Sequence, residues 1–187
     1  MTWLTKLGLA ALLLTLLVFV SGVLISKALE PTPYGPAIAP NPSTYSGPVV
    51  QVYGADVWGF RGNFAIHTWV ATKAERAKHY TIYQVIGWRQ RRHQSVVSIA
   101  QGRPNKPWFR SPPILLHEVK GSEARELIEK IEQAVEDYPY AEEYTMWPGP
   151  NSNSFVQWIA LSVPQLALEL PAKAIGKDWM TDNYPSR

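Results

Sequence analysis

Residues 114–139 read ILLHEVKGSEARELIEKIEQAVEDYP, and this stretch decides the fold class. Residues 114–120 form a short aliphatic run of strand length, closed by Gly121. From Ser122 the period changes. Ala124, Leu127, Ile128, Ile131, Ala134, Val135 and Tyr138 fall on one face of a 3.6-residue helix, and Glu129, Glu132, Glu136 and Asp137 fall off it. Ser122 is the expected N-cap, and Pro139 stops the helix. A strand that leads straight into an amphipathic helix predicts a helix laid on a sheet.

Upstream, residues 49–53, 64–71 (FAIHTWVA), 80–88 (YTIYQVIGW) and 95–100 (SVVSIA) read as four more strands. The second is apolar on both parities, so both of its faces are expected to be covered. The short connections predict antiparallel pairing, because parallel pairs need long crossovers. Downstream, residues 143–147 are compatible with a further strand. Pro148-Gly149-Pro150 is a rigid turn, and a second helix runs from Asn151 or Ser152 to about Ser162, with Phe155, Val156 and Ile159 on its apolar face and Pro164 just beyond. The expected fold class is α+β: a mostly antiparallel sheet with two packed helices, over residues 49–187.

Two segments precede this unit. Residues 7–25 carry no charge, and nineteen helical residues span about 28 Å, enough for a hydrocarbon core. A cleaved signal peptide would have a shorter apolar region and a better exit than Ser26-Lys27-Ala28, so length favours an uncleaved signal anchor over residues 1–29. Residues 30–48 hold six prolines and read as an extended linker. The expected topology is an N-terminal transmembrane helix in the inner (cytoplasmic) membrane, single-pass, with membrane lipid as its partner and the domain facing the periplasm.

Composition narrows the chemistry. The chain has 187 residues, of which 46% are apolar and 18% charged, so a disordered or fibrous class is excluded. It has no Cys, which removes disulfides, thiolate metal sites and a Cys nucleophile. His67, His79, His93 and His117 show no ligand spacing, so neither a metal nor another cofactor is expected. Charge is segregated: residues 76–117 hold eight bases and no acid, and residues 118–143 hold nine acids and three bases. The bland reading is two solvated faces. The sharper reading places Arg89, Arg91 and Arg92 against lipid headgroups or an anionic envelope polymer. The net charge of +3 and the expected location do not favour nucleic acid.

Residues 147–155, WPGPNSNSF, are the candidate site. The turn delivers Asn151, Ser152, Asn153 and Ser154 onto a helix start, where unpaired N–H groups and the dipole suit an anion, an oxyanion or a nucleophile. Asn and Ser are also ordinary N-caps.

The runs VQVYGADVWGFRGNFAIHTWV, YTIYQVIGW, YPYAEEYTMWPGPNSNSFVQWIA and LPAKAIGKDW resemble the uncharacterised proteobacterial domain-of-unknown-function family number 3750, membrane-anchored envelope proteins, over about residues 49–179. More distantly, an early-strand His67 and the run Asn151-Ser152-Asn153-Ser154-Phe155 resemble circularly permuted papain-like amidases and acyltransferases, with Ser152 where Cys would stand. That resemblance implies a permuted papain-like fold and a hydrolase or acyltransferase acting on an amide or ester. Ser152 would be the nucleophile and His67 the base within about 3 Å. Gln84 would orient His67, and N–H groups near Asn153 would serve as oxyanion donors, with Asn151, Asn153, Ser154 and Trp147 contacting substrate. The alternative is a non-catalytic envelope domain that binds a glycan, peptide or lipid, with Trp58, Trp69, Trp88 and Trp147 as platforms.

Overall fold

The computed structural model describes Trp3, residues 12–17 and residues 38–185. The chain divides into two compact units, residues 1–35 and 36–187. In the first, residues 12–17 are helical, and Leu12, Leu13, Leu14, Leu16 and Leu17 are exposed. Among the described residues no helix is long and apolar enough to cross a membrane. The expected transmembrane helix over residues 7–25 is corrected accordingly: no described helix qualifies, and apart from residues 12–17 that range lies outside the described residues.

The second unit is mixed α+β. Its strands are β1 (Val49–Asp56), β2 (Ile66–Lys73), β3 (Tyr80–Val85), β4 (Val97–Gly102) and β5 (Ile114–Lys120). They form one antiparallel sheet in the order β4-β3-β2-β1-β5. β1 and β2 pair from Val49↔Lys73 to Asp56↔Ile66. A register shift at Val52/Tyr53 interrupts the pairing of β1 with β5. The first three connections are hairpins between neighbours. β4 and β5 are opposite edges, so residues 103–113 must cross the whole sheet, and Trp69 pins this strap by donating its indole N–H to the Pro104 carbonyl at 2.9 Å.

The helices are α1 (Ser122–Glu136), α2 (Ser152–Ser162) and α3 (Lys177–Asp182). They lie on one face of the sheet. Leu127, Ile131 and Val135 of α1 and Phe155, Val156 and Ile159 of α2 join Val50, Val52, Ile66 and Val70 in one buried cluster. Each such aliphatic contributes about 1.5–3 kcal/mol on burial. Successive strand residues point to opposite faces, so Tyr53, Ala55, Trp69, Ala71 and Tyr80 form a second cluster on the other side. The strap and residues 38–45 close that side, with Ile38, Ala39, Tyr45 and Trp108 packed on it. All eight residues of β2 are buried.

Several local expectations change. Two packed helices become three, because α3 buries Met180 beside α2. Gly121, not Ser122, caps α1: the chain leaves β5 with φ 75° at Gly121, a conformation that glycine tolerates, and Ser122 opens the helix with no side-chain cap. Residues 143–147 are irregular, ending in a bend, instead of a strand, with Thr145 N–H bonded to the Pro150 carbonyl. The last part of the proline-rich stretch packs with the sheet: Tyr80 donates to the Pro40 carbonyl at 2.9 Å, and Arg76 N–H to the Ser46 carbonyl at 2.7 Å.

Candidate functional site

The Asn/Ser run at the start of α2 is a polar knot. Asn151 is the N-cap, and its Oδ1 accepts from the N–H groups of Asn153 at 2.9 Å and Ser154 at 3.1 Å. Its Nδ2 donates to the carbonyls of Met146 and Ile175, both at 3.1 Å. Ser154 Oγ accepts from Asn151 N–H and donates to the Gly176 carbonyl at 2.7 Å, which completes a capping box. Asn153 Nδ2 donates to the carbonyls of Ile66 at 3.0 Å and Ile175 at 2.8 Å, and its Oδ1 accepts from Thr68 Oγ1 at 2.9 Å. Gly176 has φ 98°, and a Cβ there would strike the Asn151 amide. Asn151, Ser152, Asn153 and Ser154 are all buried.

This arrangement has a chemical consequence. The N–H groups of Asn153 and Ser154, expected to face an oxyanion, are already bound by the Asn151 side chain. The residues expected to contact substrate tie α2 to β2, to the preceding turn and to residues 175–176. Trp147, at the head of the same segment, points into solvent and is 70% exposed.

His67 lies on the other face of the sheet. Its neighbours on β2, Ile66 and Thr68, reach Asn153, while the His67 ring stacks on Trp108 of the strap at 3.7 Å and sits 5.8 Å from Trp69. His67 Nε2 meets Gln84 Oε1 at 3.1 Å, so the expected orienting contact is made. Burial pushes the His67 pKa down to about 4, against a smaller opposing effect of the Gln84 bond. The neutral ring then donates its Nε2–H to Gln84. The expected pairing of His67 with Ser152 is not formed, because strand alternation puts the sheet between the two side chains. Asn151, Asn153 and Ser154 are brought together, and so are His67 and Gln84, but the two groups are not brought to each other.

A third feature was not read from the sequence. Exposed large apolar side chains gather at the end of the sheet that holds the β1–β2 and β3–β4 connections. The first connection carries Trp58, Phe60 and Phe64, exposed by 68%, 77% and 59%. The 3-10 turn Gly87–Arg92 carries exposed Trp88 beside Arg89, Arg91 and Arg92. The strap brings Phe109 and Arg110 to the same end, where Trp88 lies 5.6 Å from Trp108 and 5.7 Å from Phe109. The turn before α2 adds exposed Met146 and Trp147, and Arg61 touches Met146 Sδ at 3.3 Å. Ile114, which opens β5, is exposed there too, and among the described residues of this unit only Ile99, on edge strand β4, is a comparably exposed large apolar residue elsewhere. The sequence signal was one Trp and two Phe within the seven residues WGFRGNF (58–64), which does not say whether the rings face core or water.

Among the described residues no three His, Asp or Glu side chains gather into a metal-binding group. A cavity of about 290 Å³ lies between α1 and α2, lined by Lys130, Gln133, Ala134, Asp137, Trp158 and Ser162. None of the candidate residues lines it.

The family described as "Protein of unknown function (DUF3750)" matches residues 47–179, and the chain belongs to that family. No curated protein and no solved structure matches the chain, and the papain-like likeness is not shown.

Proposed function

We propose that this DUF3750 member is a non-catalytic binding domain of the cell envelope that holds its ligand at the loop end of its sheet. One observation carries this reading: among the described residues of the unit over 36–187, the large apolar side chains left in water, Ile99 apart, stand at one end of one sheet. Exposed apolar side chains scattered singly need no explanation, but a contiguous group marks an interaction surface. The competing reading, a hydrolase or acyltransferase with Ser152 as nucleophile, needs a base on the α2 side of the sheet. His67 is on the other side, and with a pKa of about 4 it would be a weak base.

Tryptophan fluorescence of the full chain, titrated with an oligosaccharide, a short peptide and phospholipid vesicles, tests the proposal against p-nitrophenyl ester turnover. A Trp58→Ala/Trp147→Ala variant is expected to lose binding, and Ser152→Ala to keep it. Ester or amide turnover that disappears in Ser152→Ala but survives in the tryptophan variant would overturn the reading.

A further inference from the structure

We infer that the loop end docks on an anionic lipid bilayer, with its rings in the headgroup layer and its arginines on lipid phosphates; this inference rests on the binding-domain reading above. The first reason is shape. The rings come from separate connections and stand outward as a rim, and none of them lines the cavity between α1 and α2. Rings spread over several separate loops match an extended, flat partner better than a small molecule, which needs an enclosing pocket.

Side-chain chemistry is the second reason. Trp, Phe and Met mixed with Arg is the composition that partitions into the membrane–water interface, where an apolar body and a charged tip are both accommodated. Phe60 and Phe64 stack edge-on at 5.3 Å, so they present one apolar ridge. Beyond the ridge, Arg61, Arg91 and Arg92 are exposed, and among the described residues none of the three forms an ion pair.

Charge is the third reason. Arg61, Arg89, Arg91, Arg92 and Arg110 stand at this end against Glu142, Glu143 and Asp56, the last of which is already paired with Lys173, and the other seven acids of residues 118–143 lie on β5, on α1 and at its C-cap, Asp137. The end therefore matches a negative surface, and the helical face does not. Phe109 and Arg110 hold left-handed backbone, φ 46° and 75°, at consecutive non-glycine positions. Such strain concentrates where a loop must present particular side chains.

The absence of cysteine permits a local test on the full chain. Phe60→Cys and, at the opposite end of the sheet, Lys78→Cys are each labelled with an environment-sensitive fluorophore and mixed with vesicles of phosphatidylglycerol and phosphatidylcholine. The label at position 60 is expected to shift to the blue and to resist an aqueous quencher, and the label at position 78 to do neither. Pure phosphatidylcholine should bind at least tenfold more weakly. Each arginine near an anionic surface is worth about fivefold in partitioning, so Arg91→Glu/Arg92→Glu should lower the binding seen at position 60 by at least about 25-fold. Circular dichroism of each variant checks that the fold is kept. A label at position 60 that stays aqueous on anionic vesicles overturns the lipid assignment, and so does insertion of position 78 instead. If the tryptophan variant still loses binding to the oligosaccharide or the peptide, the lipid assignment falls and the binding-domain reading stands. If it loses nothing, both fall.

Discussion

The start of α2 and the loop end of the sheet are neighbours in chain and space, and they use their side chains in opposite ways. In the knot, the polar side chains of Asn151, Asn153 and Ser154 are buried and bonded to backbone or to one another. In the loop end, Trp58, Phe60 and Trp147 stand in water. A run rich in catalytic-looking residue types is here architectural, and residue types associated with cores form the accessible surface. The difference teaches that polar density marks function only where the polar groups have bonding capacity left. The knot has spent nearly all of it.

The comparison breaks most sharply at Asn151. Asn151→Ala removes acceptance from two helix-start N–H groups and donation to two carbonyls. Caps cost about 1 kcal/mol, and each buried group left unpaired costs about 1–3 kcal/mol. Urea unfolding should show a loss of about 3–5 kcal/mol. A loss below 1 kcal/mol would mean that the knot does not carry the junction between α2 and β2.

The next effect concerns His67, whose pKa is about 4 when folded and about 6.5 in an open chain. The unfolded chain takes up the proton first as pH falls. Stability from this residue is therefore complete above about pH 6.5, declines between 6.5 and 4, and is flat below, for a total on the order of 3 kcal/mol. Midpoints of denaturation across that range test it. His67→Phe should remove this slope while Asn151→Ala keeps it, and an unchanged slope in His67→Phe would show that other groups cause it.

Ser152→Ala sharpens the contrast inside the knot. Ser152 is the one member of the run whose hydroxyl makes no hydrogen bond among the described residues, although its carbonyl accepts from Thr68 Oγ1 at 3.3 Å. A change below about 1 kcal/mol is expected, since a helix-start serine without a side-chain bond resembles an ordinary substitution site. A larger loss would reveal a role for the hydroxyl in the knot. At the loop end, Phe60→Ser should move stability by no more than about 0.5 kcal/mol, because the ring is already in water. A cooperative loss of several kcal/mol there would make the exposed ridge part of the core.

Much of the fold was legible. Residues 114–120 are a strand as read, because an aliphatic run of that length ending at glycine has little else to become. α1 followed from its 3.6-residue period, and α2 from the turn before it and Pro164 beyond it. α3 was not legible: six residues around Met180 are too few to show a period. The same limit applied to the candidate site. Gln84 does lie beside His67, because adjacent strands put same-face residues within reach, and the contact is 3.1 Å. Ser152 was placed beside His67 by likeness of motif, and likeness carries no parity.

The sequence alone determined the local elements, because hydrophobic period, turn residues and caps act within a few residues of one another. It also determined that β2 would be buried on both faces, since FAIHTWVA is apolar on both parities. Only the tertiary structure decided which face of β2 received the helices. That choice sent Thr68 to the polar knot and His67 to the strap, one residue apart and on opposite sides of the sheet. The tertiary structure also decided which aromatic rings met water. Consecutive antiparallel hairpins alternate their connections between the two ends of the sheet, so the β1–β2 and β3–β4 connections share one end, and the exposed rings they carry belong to neither core cluster.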